Sequence, residues 1–106
     1  MAWFYLVSAG VLEVVWAYFM KKSAGFTLLA PSFIMIVGMV GSFWLLSLAL
    51  KSLPLGAAYT IWTGIGAVGA FVVGIVFLGE AFTFMRAFAA LLIVGGIVTM
   101  AISSGR

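Results

Sequence analysis

The residue with the clearest potential for chemistry is Glu13, one of only two acidic residues among 106. It lies near the centre of a long apolar segment, and a charge at the centre of a membrane-spanning helix costs about 2.5–3.5 kcal/mol on insertion scales. The interiors of the apolar segments contain no Lys or Arg that would neutralise it. Its counter-ion must then be a bound proton or a bound cation, which predicts a site where the two compete. The alternative is a permanently protonated Glu13 that acts as a structural hydrogen-bond donor.

Residues at helical spacing around Glu13 favour the binding site over the structural alternative. Gly10 lies one turn before Glu13 and leaves space beside it. Trp16 lies one turn after it and supplies an indole N–H and a π face. Ser42 lies near the middle of the next apolar segment, where we expect its hydroxyl to donate to the Glu13 carboxylate. These four residues are the first part of a predicted site for substrate and protons.

Two aromatic residues in the third apolar segment extend this predicted site. Tyr59 and Trp62 are three residues apart and so share a helix face. Aromatic faces attract cations, by about 2 kcal/mol or more when the pair is desolvated. The alternative role for Trp16 and Trp62 is anchoring at the membrane interface, where tryptophan is enriched. Spacing alone does not choose between the two roles.

Small residues in the third and fourth segments predict bending and assembly. The third segment contains Gly64 and Gly66, and glycine permits both helix kinks and close helix approach. We expect a hinge there, with close packing as a compatible alternative. The fourth segment carries Ala89 and Gly96 on a stripe of mostly small residues. Such stripes let helices approach closely in lipid, so the fourth segment is expected to serve assembly and to take no part in chemistry.

The elements that must position these residues are membrane-spanning helices. Apolar residues make up 67% of the chain and charged residues 7%, whereas soluble domains carry about 25% charged residues. A helical span needs about 20 apolar residues, and four such runs lie at about 2–20, 28–50, 57–78 and 84–102. The sequence therefore predicts an all-α membrane protein, with residues 1–106 forming a single transmembrane domain of four helices and no attached soluble domain.

The residue types that are missing exclude most other functions. The chain has no Cys, His, Asp, Asn or Gln, which removes the usual metal ligands and the common nucleophile arrangements. The second acidic residue, Glu80, follows Gly79 between two apolar segments. We interpret it as a solvated charge at a helix end, with Arg86 as the candidate partner. We predict no enzyme activity, no cofactor and no metal site. We also predict no nucleic-acid partner, because five basic residues are too sparse for a nucleic-acid surface.

The basic residues give almost no preference for one orientation in the membrane. Cytoplasmic loops normally carry more Lys and Arg than external loops. In this chain one side would hold Lys21, Lys22 and Arg86, and the other side Lys51 and Arg106. Three against two predicts insertion in both orientations. The alternative is that local loop position fixes a single orientation despite the count.

Several motifs together resemble the small multidrug resistance family over the full length of the chain. The matching features are Glu13 within Leu12–Ala17, the stretch Lys21–Phe26, Pro31-Ser32, Lys51–Gly56, Ala58–Gly66 and Gly79-Glu80. Each motif is weak alone, and the combination is specific. Trp16 after Glu13-Val14-Val15 and the run Trp62–Gly69 are more similar to the guanidinium exporter subtype of that family.

The resemblance implies an antiparallel homodimer of eight helices in the inner membrane of a prokaryote, working as a proton-coupled antiporter. It implies that both copies of Glu13 bind either substrate or protons. The further binding residues that it suggests are Gly10, Trp16, Ser42, Tyr59 and Trp62. It also suggests the fourth segment, with Ala89 and Gly96, as a dimer contact. One departure is the stretch Tyr18-Phe19-Met20, which is bulkier than the family pattern and bears on substrate preference.

The predicted function is export of guanidinium and small guanidinylated cations in exchange for protons. A guanidinium ion is planar, and its forked N–H groups match a carboxylate. Two other functions remain open from the sequence. One is export of hydrophobic quaternary ammonium cations, which need only aromatic contact and charge. The other is a non-transporting membrane subunit that assembles with a partner.

Overall fold

The structure, a computed structural model, describes residues 2–104 and consists of four α-helices. Helix α1 spans Ala2–Lys22, α2 spans Leu29–Ala49, α3 spans Leu55–Phe77 and α4 spans Phe84–Ser104. Each contains 21 to 23 residues, or about 32–35 Å at 1.5 Å per residue. All four are apolar enough to cross a membrane. The predicted all-α class with four transmembrane helices is confirmed, and the chain is a multi-pass membrane protein.

A strained turn connects α1 to α2. Ser23 is fully buried, and its hydroxyl donates to the Met20 carbonyl (2.7 Å) and accepts from the Phe26 N–H (3.1 Å). Ala24, Gly25 and Phe26 all have positive φ, between 51° and 74°. This left-handed backbone suits glycine and is unfavourable for Ala and Phe. The buried Ser23 therefore holds together the turn that reverses the chain.

The other two turns use proline, glycine and threonine at the helix ends. Pro54 has an extended backbone (φ −61°, ψ 146°), and α3 begins immediately after it at Leu55, earlier than the start near residue 57 that the apolar pattern indicates. Gly79 has a φ of 68° just after α3, which a residue without a side chain adopts at no steric cost. The Thr83 hydroxyl accepts from the Arg86 N–H (3.1 Å), so it caps the start of α4.

The four helices form a flat assembly of 44 × 34 × 16 Å. Within residues 2–104, α1 packs against both α2 and α3, whereas α4 contacts α3 and no other helix. The core of buried side chains between α1, α2 and α3 consists of Leu6, Ala9, Leu46, Ala49, Ala58, Ile61 and Trp62. A helix with its side chains is about 10–12 Å wide. A slab 16 Å thick therefore has no room to surround a polar chamber by itself.

Helix α4 lies at one edge of this slab and is open to its surroundings. None of its residues from Phe84 to Ser103 is buried. Ala89 and Gly96 are both exposed, and outside α4 itself no described atom lies within 4 Å of the place where a Cβ of Gly96 would be. The dimer contact at these two residues stays a prediction, and the surface on which it would form is uncovered within one chain.

Candidate functional site

The Glu13 carboxyl group lies on α1 directly against α3, where Gly66 makes room for it. A Cβ atom at position 66 would overlap Glu13 Oε1 and Cδ and would lie 2.9 Å from Cγ, closer than real Cβ atoms approach other groups. Gly66 is itself buried. Because any larger residue would displace the carboxyl group, Gly66 determines where the Glu13 side chain rests.

Glu13 Oε1 is a buried acceptor without a donor. Among residues 2–104 it has no hydrogen-bond partner. Buried polar groups in proteins are normally hydrogen-bonded, and a buried ionised group without a partner is unfavourable. An unpaired carboxyl oxygen in this position would be stabilised by a proton or by a hydrogen bond from a donor that reaches it.

Ser42 joins three helices through hydrogen bonds to groups other than Glu13. It is fully buried, and its hydroxyl donates to the Ala9 carbonyl (2.6 Å) and accepts from Trp62 Nε1 (3.0 Å). The predicted hydrogen bond from Ser42 to Glu13 is therefore wrong. A serine hydroxyl has one proton to donate, and the Ala9 carbonyl, one helical turn before Glu13, receives it. Ser42 instead holds the Trp62 indole in place beside α1.

Four aromatic rings form a continuous row across α1, α2 and α3. The ring centroids are 5.6 Å apart for Tyr59 and Trp62, 5.7 Å for Trp62 and Phe43, and 6.3 Å for Phe43 and Trp16. Trp62 is only 6% exposed and its N–H is bonded inside the protein, so anchoring at the membrane interface does not describe it. Phe43 is absent from the predicted site, because one phenylalanine among many apolar residues carries no distinguishing signal in the sequence.

Trp16 provides a second unpaired polar atom on α1. Its Nε1 is buried and has no acceptor in the described part of the chain. Gly38 of α2 makes room for this residue, since a Cβ at Gly38 would lie 3.2 Å from Trp16 Cβ. Trp16 is three residues from Glu13, so the two project from one face of the helix. An unpaired acceptor and an unpaired donor thus lie within one turn of each other.

Gly10 and Gly64 are positions of close helix contact. A Cβ at Gly10 would lie 2.6 Å from Ile65 Cγ2 on α3, and a Cβ at Gly64 would lie 2.7 Å from Ile97 Cγ1 on α4. Helix α3 continues without interruption through this region. The close-packing alternative therefore describes the observed contacts, and the hinge at Gly64 and Gly66 stays a prediction.

An apolar groove of about 240 Å³ lies between the later halves of α1 and α3. It is lined by Val14, Val15, Tyr18, Phe19, Val73 and Phe77. Tyr18 and Phe19 belong to the bulky stretch singled out in the sequence, and the Tyr18 ring packs edge-on against Phe77 at 6.3 Å. Their side chains therefore line a groove that begins at the residue after Glu13.

Glu80 is exposed in the turn after α3 and does not pair with Arg86. Within residues 2–104 no basic side chain lies within the 4.0 Å ion-pair distance of either acidic residue. The Arg86 guanidinium instead donates to the Ala81 carbonyl (3.1 Å). The predicted pairing of Glu80 with Arg86 is therefore wrong, because the backbone carbonyl of the same turn is nearer to the Arg86 side chain.

Comparison with known proteins gives one family over most of the chain. The family model described as Small Multidrug Resistance protein matches residues 1–93. A protein of Yersinia pestis named guanidinium exporter is 51% identical over 104 residues, which cover 98% of this chain and 100% of that protein. Proteins with the same name from Escherichia coli (strain K12) and Salmonella typhimurium are 52% identical, over 98% of this chain and 99% of theirs.

Proposed function

Because the chain belongs to the small multidrug resistance family, we propose that it is a proton-coupled antiporter that exports guanidinium and small guanidinylated cations. The observation that carries the proposal is Glu13 Oε1, a buried acceptor without a partner among residues 2–104. A proton or a donor on a ligand would complete it. The relatives named guanidinium exporter, at 51% and 52% identity, support guanidinium as that ligand.

The chemistry of the ligand follows from a single carboxylate beside aromatic rings. Guanidinium presents parallel N–H donors that pair with both oxygens of a carboxylate. Trp16 offers a π face to a delocalised cation, and Tyr59, which is 52% exposed, offers a second ring from the open side. Trp62 packs against the Tyr59 ring, with the two centroids 5.6 Å apart, and supports it. Ser42 orients Trp62 and Gly10 keeps α1 close to α3, so these two residues support the site indirectly.

Quaternary ammonium cations, the alternative substrate class, match this arrangement less well. They carry no N–H group and would leave Glu13 Oε1 without a hydrogen bond. A buried polar group left unsatisfied costs about 1–3 kcal/mol. Guanidinylated cations are therefore the preferred substrates in this proposal, with aromatic contact common to both classes.

Exchange of one cation for protons follows from competition for the same carboxylate. Glu13 is neutralised either by a proton or by the cation, and both neutralised forms can change conformation. The empty, ionised form cannot do so at comparable cost, because an unpaired charge in a closed apolar interior is strongly unfavourable. Export of the cation is then tied to entry of protons.

The transporting unit that we propose is an antiparallel homodimer in the inner membrane of a bacterium. One chain is a slab 16 Å thick, and it is open on the side where Tyr59 is 52% exposed. A second copy would close that side, bring a second Glu13 to the chamber and cover the exposed small residues Ala89 and Gly96 of α4. The nearly even distribution of basic residues is compatible with both orientations.

The proposal is tested by proton release from purified protein in weak buffer. Adding guanidinium should release protons from the wild type and none from Glu13→Gln, whereas tetramethylammonium should release far fewer at the same concentration. If tetramethylammonium released more protons than guanidinium, the substrates would instead be quaternary ammonium cations. Absence of release with either cation, from protein that is folded and dimeric, would instead indicate a non-transporting subunit.

A further inference from the structure

A second carboxylate is held over α3 by the turn that ends this helix. Gly79 reverses the chain with a φ of 68°, and the Glu80 N–H then donates to the Gly74 carbonyl (3.0 Å). The Glu80 carboxyl group packs against Gly74 so closely that a Cβ there would overlap Oε1 and would lie 2.8 Å from Cδ. The two acidic residues are therefore positioned in the same way, Glu13 on Gly66 and Glu80 on Gly74.

These two positions lie along one face of the cleft between α1 and α3. Gly66 and Gly74 are eight residues apart, which is about 12 Å along an α-helix at 1.5 Å per residue. Glu13 belongs to the middle of the span, and Glu80 lies where α3 reaches the edge of the membrane. A cation moving along α3 from the edge would pass the Glu80 carboxylate before it reached Glu13.

A cavity of about 310 Å³ extends from Glu80 towards the level of Glu13, although Glu13 itself does not line it. Its outer part is lined by Glu80 and Lys21, and its lining extends inward to Val14 and Ala67. Val14 directly follows Glu13 and Ala67 directly follows Gly66. The cavity therefore runs from the edge of the membrane to the residues next to the Glu13 site.

Glu80 and Lys21 line the same cavity without forming an ion pair. Within residues 2–104 no basic group lies within the 4.0 Å ion-pair distance of the Glu80 carboxylate, and Glu80 is exposed. Its oxygens are available to a mobile cation, while the Lys21 ammonium opposes such a cation from α1. Charges that line a cleft raise or lower the local concentration of an ionic substrate.

We propose that Glu80 forms a first binding site, the vestibule site, which captures the guanidinium ion at the edge of the membrane and passes it to Glu13. The positive charge of Lys21 weakens the attraction between Glu80 and the cation. The inference rests on the proposed function, since the cation is the substrate given there. Carboxylate pairs with guanidinium through the same forked hydrogen bonds at both levels. In an antiparallel dimer, one such vestibule would face each side of the membrane.

The test separates capture from translocation by measuring KM and kcat for guanidinium transport in liposomes. Glu80→Gln should raise KM about three- to fivefold, the scale of one exposed charge pair, and Glu80→Asp should restore most of the loss. Lys21→Gln should lower KM, and the double variant should return towards the wild type. Lys22→Gln is the matched control, because Lys22 lies over the Tyr18 ring (5.7 Å) and does not line the cavity.

Two further measurements could overturn the role proposed for Glu80: the dependence of KM on ionic strength, and an exchange of the charges at positions 21 and 80. The difference in KM between wild type and Glu80→Gln should shrink at high ionic strength, because exposed charges are screened. An unchanged KM in Glu80→Gln would refute the inference while wild-type transport of guanidinium keeps the proposed function intact. If both single variants lowered kcat and the exchange Lys21→Glu with Glu80→Lys restored it, the two residues would form a closing ion pair instead. Wild-type protein that did not transport guanidinium would contradict the proposed function itself.

Discussion

The region where α1, α2 and α3 meet, here called the junction, differs from α4 in the burial of its polar groups and in the space beside its glycines. In the junction, a carboxyl group, a hydroxyl and two indoles are brought together, and Gly66 admits Glu13 where no Cβ fits. In α4, no residue from Phe84 to Ser103 is buried, and the space beside Gly96 is open. Small residues thus serve two purposes in this chain. Inside one subunit they make room for the side chains of the candidate site, and on α4 they offer a surface for assembly.

Replacing the acid in the junction should have the largest effect. Glu13→Gln keeps the size of the side chain but cannot exchange a proton for a cation, so we expect uptake of guanidinium driven by a pH gradient to fall to the level of protein-free liposomes. Helical content measured by circular dichroism should stay that of the wild type. Retained gradient-driven uptake would show that the junction is not the site of coupling.

Filling the space beside the acid should have the next largest effect. Gly66→Ala places a methyl group where Glu13 Oε1 and Cδ lie, so the carboxyl group must move away from its observed position. We expect guanidinium binding, measured by calorimetry, to weaken about tenfold, which is roughly 1.4 kcal/mol. Gly56→Ala is the control on the same helix, because no described residue outside its own turn lies within 4 Å of its Cβ position. Equal affinities for the two variants would contradict the role given to Gly66.

Removing the hydroxyl that links the three helices should have a moderate effect. Ser42→Ala leaves Trp62 Nε1 without an acceptor and the Ala9 carbonyl without its side-chain donor, at a cost of about 1–3 kcal/mol in unfolding free energy. We expect a lower midpoint of thermal unfolding and weaker guanidinium binding. The matched variant Ser47→Ala removes an exposed hydroxyl that bonds only to Trp44 on its own helix (2.6 Å), and it should behave like the wild type. Identical melting of the two variants would place Ser42 outside the framework of the site.

Changing the surface of α4 should have the smallest effect, and it should alter dimer stability instead of guanidinium binding. Gly96→Ala meets no other part of its own chain within residues 2–104, so the fold of one subunit should be unchanged. A methyl group on a close helix interface in lipid hinders approach, and we expect dimer dissociation, followed by energy transfer between labelled subunits, to increase about two- to fivefold. Gly95→Ala, on the adjacent and equally open position, is the control. If a Gly96→Ala protein that is still dimeric lost guanidinium binding, the assignment of binding to the junction and of assembly to α4 would be contradicted.

The sequence was sufficient to predict the four helices and to single out Glu13 as the candidate acid, for identifiable reasons. Long apolar runs have few alternatives to membrane-spanning helices. The fold class therefore follows from the composition and from the charged, glycine and proline residues that separate the runs. Glu13 is conspicuous because an ionisable residue in an apolar run is expensive. Trp62 was found by its spacing from Tyr59, although its burial, which excludes anchoring, depends on packing that spacing does not determine.

The contacts of the site lay beyond the sequence because they depend on how the helices are rotated and offset. The Ser42 hydroxyl was expected to reach Glu13, and it bonds Ala9 and Trp62 instead. Gly66 was expected to be a hinge, and its observed contact is with the carboxyl group. Positive φ at Ala24 and Phe26 has no local signal either, because neither residue type favours that backbone.

The central claim, that protons and guanidinium compete at Glu13, is tested most directly by guanidinium affinity measured from about pH 5 to about pH 9. Lower pH protonates the carboxylate and removes the counter-charge of the cation, so affinity should fall as pH falls. Linkage predicts a limiting slope of about tenfold per pH unit for each proton displaced. Two Glu13 side chains in one dimer would titrate as a coupled pair. Affinity that does not change over this range would contradict the claim and would make Glu13 a structural hydrogen-bond donor.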